Sequence, residues 1–122
     1  MTSARPQILI VDDEPANVQV VAEALAGFDL YFATNGARAL QMAVSQPFDL
    51  ILLDVVMPNM DGFEVLRWLK SEAKTQHIPV IFITAMTDVN DEARGFDLGA
   101  VDYIVKPISP PITRARVRTH IE

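Results

Sequence analysis

The chain has 122 residues, half of them apolar, a net charge of -6 and a pI near 4.8. One domain of this size can bury roughly two-thirds of its unfolded surface around a single core, and so much apolar content excludes a disordered chain. The acidic balance argues against bulk nucleic acid or anionic membrane as a direct partner, and the lack of cysteine removes disulfide, thiolate and cysteine-zinc chemistry. Residues 1–6 hold one arginine and no apolar core, so they are expected to be a short tail, neither signal peptide nor anchor. Residues 7–122 are expected to form the domain. No apolar run comes near the length that spans a bilayer, and a soluble cytoplasmic domain is expected.

Short β-rich runs alternate with helical patterns five times. Gln7 to Val11 is a strand ending at Asp12-Asp13-Glu14; Pro15 then opens a helix with Val18, Val21, Ala22 and Leu25 at helical spacing, closed by Gly27. Leu30 to Ala33 is the second strand, expected to be the shortest and to lie at an edge. Asn35 caps a helix whose buried stripe is Ala39, Leu40, Ala43 and Val44, ending before Pro47. The third strand, Leu50 to Leu53, runs directly into Asp54 and then into turn chemistry, Met57-Pro58-Asn59-Met60-Asp61-Gly62. A run that is apolar throughout reads as a central strand covered on both faces, so Asp54 falls at the rim of the sheet. A carboxylate there serves as a helix cap, a metal ligand or a nucleophile. The following helix buries Phe63, Leu66 and Leu69, leaving Trp68 off the stripe and partly exposed. Strand four is Val80 to Thr84, helix four about Val89 to Leu98 before Gly99, and strand five Val101 to Val105 before Lys106-Pro107. Pro110-Pro111 start a last helix reaching Ile121.

Five such alternations predict an α/β fold, a five-stranded parallel sheet with helices on both faces. Function in such a sheet sits beyond the carboxyl ends of the strands. That edge receives Asp12 and Asp13 after strand one, Asp54 after strand three, Thr84 after strand four and Lys106 after strand five. Three carboxylates in one crevice raise one another's pKa unless a cation intervenes. Magnesium suits them best, since it takes one or two carboxylates and keeps waters, leaving positions for phosphate oxygens, whereas calcium wants more oxygen ligands. No histidine falls on this edge, which speaks against zinc. Lys106 and Thr84 supply a point charge and a hydroxyl for a phosphoryl group, and a carboxylate not fully committed to metal can attack phosphorus to form an acyl phosphate. Asp54, on the central strand between the others, is the candidate.

The acidic pair Asp12-Asp13, the run from Asp54 through Met57-Pro58 to Met60-Asp61-Gly62, Thr84-Ala85, Tyr103 and Lys106-Pro107 together resemble the receiver domain of two-component response regulators, chemotaxis-regulator-like, over Gln7 to Glu122. The resemblance implies the flavodoxin-like strand order 2-1-3-4-5. It implies that Asp54 takes a phosphoryl group from the phosphohistidine of a histidine kinase or phosphotransfer protein, that self-phosphotransfer is the only chemistry, and that the change is passed to an output domain or partner. Mg2+ would be held by Asp13, Asp54 and the carbonyl of Val56, with Asp12 acting through water. Lys106, before a commonly cis Pro107, and Thr84 would bind the phosphoryl oxygens. Ala85 would leave the crevice open to the donor, and Tyr103 would move with Thr84 as the switch. Val56 and Met86 would flank the path of a hydrolysing water; neither side chain hydrogen-bonds, where fast chemotaxis members carry polar groups, so a slow loss of phosphate is expected.

Two rivals share parts of this pattern. An aspartyl-phosphate phosphatase or phosphotransferase normally sets its nucleophile after strand one in an Asp-x-Asp arrangement, and here the pair is adjacent. A flavin-binding protein of this topology is disfavoured because an anionic crevice repels the flavin phosphate. A receiver that docks partners without phosphate is a third reading. His77 and His120 are expected away from the crevice. Arg114, Arg116 and Arg118 on the last helix are expected to form a solvated face or to pair across a homodimer built from helix four, strand five and helix five. The last helix has no stop signal and is expected to run on toward an output domain, and the Lys-Pro-Ile-Ser-Pro-Pro segment resembles receivers that precede cyclic-di-GMP enzymes or kinases.

Overall fold

The computed structural model describes residues 5–85 and 89–121, with the side chains of 89–91 not described. Ten elements alternate along it: β1 (Gln7–Val11), α1 (Pro15–Ala24), β2 (Asp29–Ala33), α2 (Gly36–Ser45), β3 (Leu50–Asp54), α3 (Gly62–Ser71), β4 (Val80–Thr84), α4 (Val89–Leu98), β5 (Asp102–Val105) and α5 (Pro110–Ile121). All strands pair in parallel, in the order β2-β1-β3-β4-β5, so the order reverses between β1 and β3.

The pleat sends alternate residues of each strand to opposite faces, and two cores result. Leu9, Val11, Ile51, Leu53, Val80 and Phe82 pack under α2 and α3 with Leu40, Ala43, Phe63, Leu66 and Leu69. Ile8, Ile10, Leu50, Leu52, Ile81 and Ile83 pack under α1 and α5 with Val21, Leu25 and Val117. β3 and β4 are buried along their whole length, as strands covered on both faces must be. Truncating a β3 leucine to alanine costs about 2–5 kcal/mol.

Helix ends carry their own satisfaction. Asn35 accepts the Arg38 N–H at 2.8 Å to cap α2. Gly99, at φ 110, closes α4: its N–H donates to Phe96 O and the Ala100 N–H to Gly95 O, both at 3.0 Å. Among the described residues, no helix is long and apolar enough to cross a membrane.

Three boundaries and two faces differ from the sequence reading. β2 begins at Asp29, held in register opposite Gln7, and β5 begins at Asp102, so β5 is the shortest strand while β2 is indeed an edge. Asp54 is the last residue of the β3 ladder, opposite Ile83 and 1% exposed, inside the sheet and not on a loop at its rim. Val44 is exposed, because the α2 stripe runs instead through Gly36, which faces Val65 of α3. Trp68 is partly exposed, at 37%. The arginines of α5 are not simply a solvated face. Arg114 Nε donates to the carbonyl of Ala24 at 2.9 Å, holding the open end of α1, and Arg116 pairs with Asp102 at 3.0 Å.

Candidate functional site

Four of the five strands, all but β2, deliver polar or charged groups from their carboxyl ends to a common crevice. Asp12, just past β1, is fixed by its N–H donating to Ala33 O at 3.1 Å and by its Oδ1 accepting from Glu14 N at 2.9 Å. Its Oδ2 is buried and, among the described residues, has no hydrogen-bond partner. Asp13 is exposed beside it. Asp54 Oδ1 accepts the Val56 N–H at 3.3 Å, and both Asp54 oxygens lie 3.3 Å from Lys106 Nζ; Lys106 stands past β5, its backbone N–H donating to Thr84 O at 2.8 Å. The Lys106–Pro107 bond is cis. Thr84 is buried at the end of β4, and Ala85 after it is exposed.

One carboxylate oxygen from each of Asp12, Asp13 and Asp54 falls within 4.8 Å of the others. Three carboxylates against one ammonium leave the crevice anionic. Burial, and then the Asp12 carboxylate, push Asp54 up to about 6 even though Lys106 and the Val56 N–H pull it down. Among the described residues, a buried acceptor without a partner next to two more carboxylates is the donor set of a hard divalent cation, with no histidine or cysteine in the group to favour zinc.

The loop from Val55 to Asp61 is shaped by backbone, not by large side chains. Asn59 takes φ 70, a left-handed turn position that asparagine tolerates. Asp61 caps α3 in a reciprocal box: it accepts the Glu64 N–H at 2.9 Å, and Glu64 accepts the Asp61 N–H at 3.4 Å. The Gly62 N–H donates to Val55 O at 2.8 Å, and a Cβ on Gly62 would meet the Asp54 carbonyl oxygen at 2.5 Å. In the sequence Gly62 stands as the opening of α3 and the end of the Asp54 run. Its second role is to let α3 close against the backbone that carries Asp54, and the Asp-Gly pair was the signal for it.

The structure thus brings Asp12, Asp13, Asp54 and Lys106 together, with Thr84 and Ala85 on the adjacent strand end. Tyr103 is placed elsewhere, turned into the core and 7% exposed, its ring 5.6 Å from that of Phe82 and 5.1 Å from that of Phe96. Val56 is 63% exposed at the mouth of the crevice, and Met86 lies outside the described residues. His77 is exposed in the loop before β4. His120 Nε2 lies 3.0 Å from Asp102 Oδ2, at the opposite end of β5 from Lys106. That cluster, Asp102 with Arg116 and His120, was not legible from spacing, because its members meet only when α5 lies along β5.

A doubly wound parallel sheet with acidic groups and a lysine at its switch point defines a class of phosphate-handling α/β domains. Within that class the response regulator receiver domain model matches residues 8–118, and the chain belongs to that family. It is 47% identical over 116 residues, 94% of its length, to a probable cyclic di-GMP phosphodiesterase of Vibrio cholerae, of which it spans 26%. It is 44% identical over 115 residues, 93% of its length, to response regulator PleD of Caulobacter vibrioides, of which it spans 25%. The chain therefore covers about a quarter of these curated relatives. Among solved structures it resembles the Vibrio cholerae chemotaxis protein CheY4, with a TM-score of 0.89 at 30% identity, covering 98% of this chain and all of that one. It is a receiver of two-component signal transduction, a family that works with histidine kinases and output domains; the phosphatase and flavoprotein alternatives find no support.

Proposed function

We propose that Asp54 is the phosphoryl acceptor and that the domain is a switch thrown by its phosphorylation. The observation that carries this reading is a buried Asp54 carboxylate facing Lys106 Nζ at 3.3 Å while grouped with Asp12 and Asp13. An Asp54 oxygen attacks phosphorus as the bond from phosphorus to the histidine nitrogen of the donor breaks, and the freed imidazole takes up a proton. With a pKa of about 6 the carboxylate is mostly ionised at neutral pH, as a nucleophile must be. Lys106 and the Thr84 hydroxyl bind the phosphoryl oxygens, and exposed Ala85 leaves the approach open to a donor histidine on a kinase or phosphotransfer protein. Asp13, Asp54 and the Val56 carbonyl would hold Mg2+ directly, with Asp12 acting through water. Bound there, the ion neutralises charge on the transferring group.

Tyr103, with Thr84, is proposed to relay the change to the face made by α4, β5 and α5. Phe96, Val105 and Ile112 leave apolar surface on that face, which suits a second copy or an output domain. The identity with the probable cyclic di-GMP phosphodiesterase makes an output in cyclic-di-GMP signalling the favoured one.

The test is incubation with a small phosphoryl donor and Mg2+ followed by intact mass. One hydrolysable phosphate per chain is expected, lost on removing Mg2+ or in Asp54→Asn. A wild-type yield of phosphate in Asp54→Asn overturns the assignment.

A further inference from the structure

Gly95 sits inside α4, where glycine weakens a helix about fivefold relative to alanine. The helix does not need it as a terminator, since Gly99 already supplies the left-handed residue at the end. What Gly95 does provide is space. A Cβ there would collide with the Tyr103 hydroxyl, would lie 2.8 Å from Tyr103 Cζ and would come within 3.0 Å of the Phe82 ring edge. The Tyr103 Oη donates to the Glu92 carbonyl at 3.1 Å, one turn before Gly95, so the hydroxyl occupies the very groove in α4 that the missing side chain leaves. Two further contacts tie α4 to its surroundings: the Arg94 guanidinium lies over the Phe63 ring at 4.3 Å, and Phe96 packs edge-on against Tyr103.

We infer that Gly95 is a positioning residue for the switch: its bare Cα is the seat that admits the inward Tyr103, and any side chain at 95 expels the ring toward solvent between α4 and β5. Gly95 then sets the balance between inward and outward tyrosine, at the expense of the helix that carries it. The regulatory meaning of this seat rests on the reading of Tyr103 as the relay; the seat itself is tested without phosphate or Mg2+, so its failure and the failure of Asp54 phosphorylation are separate results.

The experiment is a double-mutant cycle with Gly95→Ala and Tyr103→Leu, read by denaturant unfolding and by tyrosine nitration mapped by mass spectrometry. The chain has two tyrosines, so Tyr31 serves as internal reference. In the Tyr103→Leu background, where the ring is gone and Phe82 has room to give, Gly95→Ala should raise the folding equilibrium constant about fivefold. With Tyr103 present the same substitution should lower it, and nitration of Tyr103 should rise at least tenfold (on the order of the change from buried to exposed) with Tyr31 unchanged. Equal stabilisation in both backgrounds, or a Tyr103 that stays protected in Gly95→Ala, overturns the inference. If Gly95→Ala alone does not fold, folding of the double variant supports the seat and its failure to fold refutes it.

Discussion

Asp54 and Asp102 are both acids drawn into the sheet and both face a cation, yet the two ends of the molecule treat them in opposite ways. At Asp54, burial and the Asp12 carboxylate prevail over a single ammonium and one weak N–H, and the pKa climbs to about 6. At Asp102, burial also favours the neutral form, but the Tyr103 N–H, His120 and Arg116 together outweigh it and hold the group below the usual carboxylate range. The number of donors decides the sign. Asp102 is a satisfied acid that ties α5 to β5. Asp54 is left short of positive charge at neutral pH, and the deficit is what a cation and a phosphoryl group are suited to relieve.

The largest expected effect comes from removing the strained charge. The native pKa of Asp54 lies above the unfolded value of 3.8, so its proton favours the fold below pH 4 and that advantage is lost as pH rises through 6. Asp54→Asn should therefore raise unfolding free energy at pH 7 by about 2 kcal/mol, with the gain fading toward pH 4; an equal gain at both pH values would break the comparison. Mg2+ offers the same relief without mutation. At about tenfold over its dissociation constant it should stabilise the wild type by about 1.4 kcal/mol at pH 7 and Asp54→Asn by much less, measured as the shift in denaturation midpoint against sodium chloride of equal ionic strength.

Asp102 should respond with the reverse sign. Its lowered pKa contributes stability that is present above about pH 4 and lost as pH falls through the native value, so Asp102→Asn should cost about 1 kcal/mol at pH 7 and progressively less as the pH is lowered below 4. A stabilising Asp102→Asn at pH 7 would erase the contrast. The smallest effect belongs to the rim. Val56 is too exposed to matter for folding and too apolar to orient water, so Val56→Asn should leave stability within about 0.5 kcal/mol and speed the decay of phosphorylated protein about fivefold, one modest hydrogen bond's worth of barrier. Decay after donor removal, followed by intact mass, checks it; an unchanged lifetime would show that water is oriented elsewhere.

Much of the fold could be read because the chain punctuates it. β4 is bracketed by Pro79 and Ala85, and α4 ends at Gly99; there local chemistry and the observed boundary coincide. The starts of β2 and β5 were misjudged by a residue because pairing with Gln7 and Ile81, not propensity, sets them. Asp12, Asp13, Asp54 and Lys106 were legible because parallel topology brings strand ends to one edge. Gly62, the Asp102 cluster and the internal engagement of Arg114 were hidden, since each depends on how closely two backbones or helices approach, a distance no periodicity encodes. Val44 fails for a related reason: the helical stripe gives a face, but the neighbour α3 decides where that face ends.

The bond from Arg114 to Ala24 joins partners 90 positions apart, and Val117 from the same helix completes the layer over β1 and β3. During synthesis the first helix emerges early and must wait, one flank of the sheet bare, until nearly the whole domain has left the ribosome. The nascent chain is therefore open to chaperones and proteases for most of its translation, and closes late, when α5 arrives.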